Sequence, residues 1–332
     1  MLHADKLELV RQQIASLKKA VEGRDLQTVY FVSCGGSLAT LYPGKYMMER
    51  ETDKVFTASY SANEFYQDPP RRLGKDCLVV FNSQSGGTPE TVSAAKLAKE
   101  QGALTACFTT APGSALEQAV DYPIYYYDDP VNPYPMVLSI YPEVYMTIFA
   151  LLDALDGTHR AKDMDDAMLA LEEICDRVAA EHKSRIRQFA LSHLDEPIIY
   201  TIAAGLNCSV SYVQTNCNFM ESIWIHSSPL HAGEFFHGAF EAVDKETPVF
   251  AYLGTGKTRP LEERAVKFLQ RTTTKLTVLD AAGFDLSGVA EWTRPYVGTL
   301  VLNNLGTRYC TEISLLRGHP MSSRRYMGVE KY

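Results

Sequence analysis

Cys77-Leu78-Val79-Val80-Phe81-Asn82 runs directly into Ser83-Gln84-Ser85-Gly86-Gly87-Thr88-Pro89-Glu90-Thr91. The first stretch is almost wholly apolar, the pattern of a parallel strand buried on both faces. The second leaves the carboxyl end of that strand and enters a helix predicted over Thr88 to Gln101, with Thr88 suited to the N-cap and Pro89 to the first helical position. Ligands of open α/β sheets bind at such strand ends. Gly86 and Gly87 allow close backbone approach to an anion, Ser83, Ser85 and Thr88 add hydroxyl donors, and the helix start adds its positive end. The chemistry expected is a phosphate monoester held mainly by neutral donors; a Ser/Gly-rich turn with a good cap is the plain alternative.

Working outward, short β-rich runs alternate with helical stretches. Strands are predicted at Thr28 to Cys34, Lys54 to Ser59, Leu104 to Thr109 and Tyr122 to Tyr127, with helices at Ser37 to Arg50 and Pro135 to Leu155. The first strand ends in Ser33-Cys34-Gly35-Gly36-Ser37, a loop built like the one after Asn82. A charged helical stretch from Asp163 to His193 follows, and the alternation then restarts. Pro197 to Ala203, Val249 to Leu253, Lys275 to Asp280 and Thr299 to Asn303 read as strands, a helix follows Gly205 to about Ile225, and another covers Pro260 to Arg271. Such alternation implies an α/β fold of doubly wound parallel sheets with right-handed crossovers, in two similar units. The expected organisation is an N-terminal helix and first domain over 1–160, a bridging helix over 161–193 and a second domain over 194–332.

The 332 residues are 46% hydrophobic and 22% charged, with net charge −8, a globular composition with no general attraction to nucleic acid or anionic lipid. The seven cysteines are scattered, with no CxxC pair, and read as reduced core thiols. The opening residues MLHADKLELVRQQIASLKKA read as an amphipathic helix rather than a signal peptide, and no apolar run approaches bilayer length. A cytoplasmic location is expected, with neither a membrane nor a nucleic-acid partner.

Two further segments bear on chemistry. Gly254-Thr255-Gly256-Lys257-Thr258 ends like a nucleotide P-loop, but the required first glycine is Ala251, inside a predicted strand, so a solvent-facing loop is the better reading. On the preceding helix, Cys217, Glu221 and Trp224 fall at i, i+4 and i+7. A carboxylate on that apolar stripe must pair, neutralise or do chemistry, and a structural Glu with a basic partner stands level with a catalytic one. His226, His231, Glu234 and His237 follow closely. Their spacing fits no helix-borne metal motif, and an acid/base partner for the carboxylate is the more natural role.

The paired loops resemble the phosphosugar-binding loops of the sugar isomerase (SIS) domain, and the tandem resembles the isomerase half of glucosamine-6-phosphate synthase. Within that superfamily the chain looks most like the fructosamine deglycases, on SANEF (Ser61 to Phe65), HAGEFFHG (His231 to Gly238), TRPLEERA (Thr258 to Ala265), KLTVLDAA (Lys275 to Ala282) and RRYM (Arg324 to Met327). The resemblance implies tandem SIS-type, flavodoxin-like sheets, with Glu221 and His237 as the acid/base pair. It implies substrate contacts from Gly36, Ser37, Ser83, Gln84, Ser85 and Thr88. It further implies a homodimer with active sites at the subunit interface, so that His237 can serve the neighbouring chain. The sequence departs from the family at Ala239, where proline is usual, at Gly87, and in the tail Arg324 to Tyr332, whose lack of an aligned lysine argues against a Schiff base.

The activity so implied is hydrolysis of a ketosamine 6-phosphate to glucose 6-phosphate and an amine, with no metal, nucleotide or organic cofactor. An amino-sugar or aldose–ketose isomerase would use the same residues but release no amine. A non-catalytic sugar-phosphate sensor would be expected to carry a DNA-binding extension or basic patch, and none is present.

Overall fold

The computed structural model describes residues 3–129 and 133–331; Met1, Leu2 and Tyr332 of the terminal stretches quoted above lie outside them. In chain order the first elements are α1 (Ala4–Val21), β1 (Thr28–Ser33), α2 (Gly35–Glu51), β2 (Phe56–Ser61), α3 (Ala62–Gln67) and β3 (Cys77–Asn82). They continue through α4 (Pro89–Glu100), β4 (Leu104–Thr109), α5 (Ala115–Ala119), β5 (Tyr122–Tyr125) and α6 (Ile140–Asp156) to the long helix α7 (Ala161–Ser192). Beyond it lie β6 (Tyr200–Ala203), α8 (Cys208–Tyr212), β7 (Pro229–His231), β8 (Val249–Leu253), α9 (Arg259–Thr272), β9 (Leu276–Asp280) and α10 (Arg294–Arg317). The chain divides into compact units at Met1–Glu172 and Glu173–Tyr332, the boundary falling within α7.

The first unit is built on a parallel sheet of order β2-β1-β3-β4-β5. β1, β3 and β4 are buried at every position, as central strands covered on both faces must be. The order in which strands are added reverses between β1 and β3, which puts a crevice at the carboxyl ends Ser33 and Asn82. The second unit repeats the winding in a parallel sheet of order β7-β6-β8-β9, so that β6 and β8 correspond to β1 and β3.

One predicted strand is wrong. Thr299 to Asn303 lies inside α10, where Val297 to Leu302 are all buried. A β-branched run apolar on every side of a helix carries no 3.6-residue period, so its sequence imitates a buried strand. The helix predicted to run to Ile225 also departs from expectation. After α8 the backbone widens into a π-helix over Val213–Ser222 and stops there. Trp224 lies beyond it with φ of 59°, so it does not extend a stripe through Cys217 and Glu221.

In the first unit α6 packs against α1 and α2 and is buried on nearly all sides. Its Glu143 is fully buried, and neither carboxylate oxygen has a hydrogen-bond partner among the described residues. Burial pushes this carboxyl well above the usual range. The folded chain therefore keeps a proton that the unfolded chain releases above roughly pH 4.3. This contribution to stability is complete below that pH and falls by about 1.4 kcal/mol per pH unit as pH rises toward the folded value. Glu143→Gln is expected to raise Tm at neutral and mildly alkaline pH and to change it little in acid; parallel Tm–pH curves for variant and wild type would contradict the buried, neutral state.

Candidate active site

In the first unit the loops after β1 and β3 are tied together at the crevice. Asn82 Nδ2 donates to Thr40 Oγ1 at 2.8 Å and to the Ser37 carbonyl at 3.4 Å, and Ser33 Oγ donates to the Asn82 carbonyl. Gly36 and Ser37 sit in the first turn of α2, whose early N–H groups have no partner within the helix. Ser83 is buried, with its hydroxyl 2.9 Å from Thr88 Oγ1. Thr88 is thus the N-cap of α4 through its backbone, while its side chain fixes Ser83 instead of capping. Gly86 has φ of +61°, and a Cβ there would lie 2.1 Å from Ser114 Oγ, so both conformation and space demand glycine. The Gly87 N–H donates to Ser85 Oγ at 3.2 Å. Gln84 is held on both sides: its Nε2 donates to Asp128 Oδ2 at 3.1 Å, and its carbonyl accepts from Thr110 Oγ1 at 2.8 Å. The result is a braced, hydroxyl-rich cradle without a lysine or arginine in either loop.

The corresponding crevice of the second unit is filled from within. Glu262, on α9, is 2% exposed. Its Oε1 accepts from the Ala204 N–H at 3.1 Å and Asn207 Nδ2 at 3.0 Å, and its Oε2 from the Gly254 N–H at 2.7 Å. Those donors belong to the loops after β6 and β8, the counterparts of the two loops above. Burial raises the Glu262 carboxyl pKa, against the lowering effect of these hydrogen bonds. Gly254, first residue of the P-loop-like run, is buried and serves this carboxylate. Arg259 Nη1 and Nη2 pair with the two oxygens of Asp280 at 2.7 and 2.8 Å. TRPLEERA and KLTVLDAA are therefore joined by an ion pair and serve to hold this end of the sheet. Sequence reading missed Glu262, because a glutamate in the first turn of an amphipathic helix looks solvated.

Glu221 lies near the end of the π-helix and lines a cavity of about 740 Å³. π-Helical turns recur at functional sites, and here Gln214 and Asn218 bond to each other at 3.0 Å within it. Glu221 Oε1 pairs with Arg324 Nη2 at 2.6 Å. Of the fates open to this carboxylate, pairing with a basic group is observed, and the partner comes from the C-terminal tail. Oε2 has no hydrogen-bond partner among the described residues. Burial pushes the neighbouring Cys217 thiol up to about 11, the Glu221 charge adding to the effect and Arg324 opposing it, so this sulfur stays a neutral thiol. Trp224, Arg325 and His226 line the same cavity.

The histidines are dispersed. His226 faces the Glu221 cavity, whereas His231 Nδ1 accepts from the Gly233 N–H at 3.1 Å. His237 is exposed at the end of a short 3₁₀ turn, Phe235–His237, anchored by the buried Phe235. It does not line the Glu221 cavity, so the expected pair is not assembled there within the second unit. Among the described residues no group of three or more His, Cys, Asp or Glu is placed to hold a metal ion, and no helix is long and apolar enough to cross a membrane.

Residues 24–152 match the SIS domain. The chain is 39% identical over 323 residues to the fructosamine deglycase FrlB of Bacillus subtilis, covering 97% of this chain and 98% of that protein. It is 28% identical over 305 residues to the fructoselysine 6-phosphate deglycase of Escherichia coli, covering 92% and 86%. A crystal structure of a Bacillus subtilis protein described as a phosphosugar isomerase superposes with a TM-score of 0.93 at 38% identity, covering 97% of each chain.

Proposed function

The chain belongs to the fructosamine deglycase family, and from that premise we infer that it hydrolyses a fructosamine 6-phosphate to glucose 6-phosphate and a free amine. The observation that carries this reading is the similarity to a fructosamine deglycase across nearly the whole of both chains. The braced hydroxyl cradle of the first unit supports it as the seat of the phosphate, with Gly36, Ser37, Ser83, Ser85 and Thr88 as donors. Gln84 holds the loop in shape through Asp128.

In this reading Glu221 Oε2, the oxygen left open by Arg324, takes a proton from C1 of the open-chain ketosamine. The enaminol so formed is protonated at C2, giving an imine between C1 and the amine nitrogen. Water adds at C1 and the C–N bond breaks, so one water is consumed for each amine released. His237 moves protons at the sugar oxygens. A positioned carboxylate suits abstraction of a proton next to a carbonyl. The exposure of His237 supports a homodimer in which it serves the partner's site, and seven free cysteines support a reducing, cytoplasmic setting.

The test is release of glucose 6-phosphate, followed by a coupled assay, with the freed amine quantified in parallel. Aldose–ketose conversion without amine release would replace the reading by an isomerase. Omitting the phosphate from the substrate is expected to lower kcat/KM by about 10²-fold or more, because a set of charge-assisted hydrogen bonds is lost. Equal turnover of the unphosphorylated fructosamine would remove the cradle from the mechanism.

A further inference from the structure

We propose that the cavity beside Glu221 receives the amine half of the substrate, and that Arg325 recognises a carboxylate carried on that amine. The proposal rests on the deglycase reading and deepens it, since it names the chemistry of the leaving group.

The tail folds back over the end of the π-helix. His319 Nε2 bonds to the Ser222 carbonyl at 3.0 Å, and its ring lies 4.3 Å from that of Trp224. This brings two adjacent arginines to one cavity with different degrees of engagement. Arg324 is occupied: it pairs with Glu221, and its Nη1 donates to the carbonyls of Met321 and Ser323 at 2.9 and 2.8 Å. Arg325 makes no hydrogen bond or ion pair with any described residue, and its guanidinium lies 4.1 Å over the Trp224 ring. An aromatic face orients a guanidinium without consuming its N–H groups, leaving donors for a planar, two-oxygen acceptor. Trp224 is itself held in a left-handed backbone conformation, φ 59°.

The charges make the cavity selective. Glu221 is balanced by Arg324, so Arg325 leaves one positive charge over in a chain whose net charge is −8. Glu221 would act at C1, the carbon that bears the amine, so whatever the amine carries extends from the same place. A carboxylate there meets Arg325; an uncharged alkyl amine leaves the guanidinium without a partner. An amino acid joined through its α-nitrogen and a lysine joined through its side chain both supply the carboxylate, at different reach.

The experiment compares 6-phosphofructosyl adducts of glycine and methylamine, which differ by that one carboxylate, and adds the Nε-lysine adduct to measure reach. Wild-type protein is expected to favour glycine over methylamine by about 10- to 100-fold in kcat/KM, chiefly through KM. Arg325→Ala and Arg325→Gln should lower the glycine rate toward the methylamine rate, with a far smaller fall for methylamine; Arg325→Lys should recover part of the preference. A lysine adduct that is equally sensitive to Arg325 assigns the longer reach, and one that is insensitive assigns the α-linked acid; either supports carboxylate recognition if the glycine arm responds. Equal wild-type turnover of glycine and methylamine adducts, or an equal loss of both in the variants, overturns the role of Arg325 and leaves the deglycase reading standing. No glucose 6-phosphate from any adduct would overturn that reading and this inference together.

Discussion

Glu221→Gln lowers kcat by about 10²- to 10⁴-fold, the usual worth of a positioned general base, while Tm moves little. The amide keeps the volume and a hydrogen-bonding oxygen but cannot accept the proton from C1. The ion pair it gives up is a quarter exposed, with side-chain accessibilities of 27% for Arg324 and 28% for Glu221, and such pairs contribute about 1 kcal/mol or less. Because Arg324 is the observed partner, a purely structural Glu221 would serve to anchor the tail. Arg324→Ala breaks the same pair and keeps the carboxylate, so the two variants separate the roles. A catalytic Glu221 makes the glutamine variant far slower than the alanine variant. If Glu221 only anchors the tail, both variants show the same modest change, and a kcat for Glu221→Gln within a few-fold of wild type ends the assignment.

The second large effect is a recovery of activity from two inactive chains. His237 stands exposed and away from the Glu221 cavity. In a two-fold dimer whose sites each take Glu221 from one chain and His237 from the other, a Glu221→Gln chain paired with a His237→Ala chain makes one site with both lesions and one with neither. Random mixing places half the chains in such heterodimers, so activity returns to roughly a quarter of wild type from parents reduced by about 10²-fold or more. Measured after co-refolding or co-expression with two tags, activity no higher than the mean of the parents would place Glu221 and His237 in the same chain's site. Light scattering on the same samples reports whether the dimer exists.

The parts of this molecule legible from sequence share a physical cause. Cys77 to Asn82 announces itself because a strand covered on both faces must be apolar at every position, and the following Ser/Gly run because a tight strand-to-helix turn favours such residues. The same rule misread Thr299 to Asn303: inside α10, buried all round, it carries no period to distinguish helix from strand. Glu221 could be singled out as a carboxylate needing a partner, but the partner lies on a tail about a hundred residues further along, a separation no local pattern spans. The π-helix was also hidden, because the segment Val213–Ser222 carries no local residue pattern that separates a π turn from an α turn. Glu262 was hidden for the opposite reason: its local pattern is that of an ordinary surface glutamate, and only the fold brings three donors to it.

That last residue has a consequence for what the second unit can admit. In the second unit the donors of the loops after β6 and β8 all face a carboxylate of the chain itself. Because that carboxylate is tethered through α9, it stands at an effective concentration no dissolved anion can match. The contact works as a rivet across this end of the sheet. The loops after β6 and β8 are thereby closed to an anion from outside, while their counterparts in the first unit stay open.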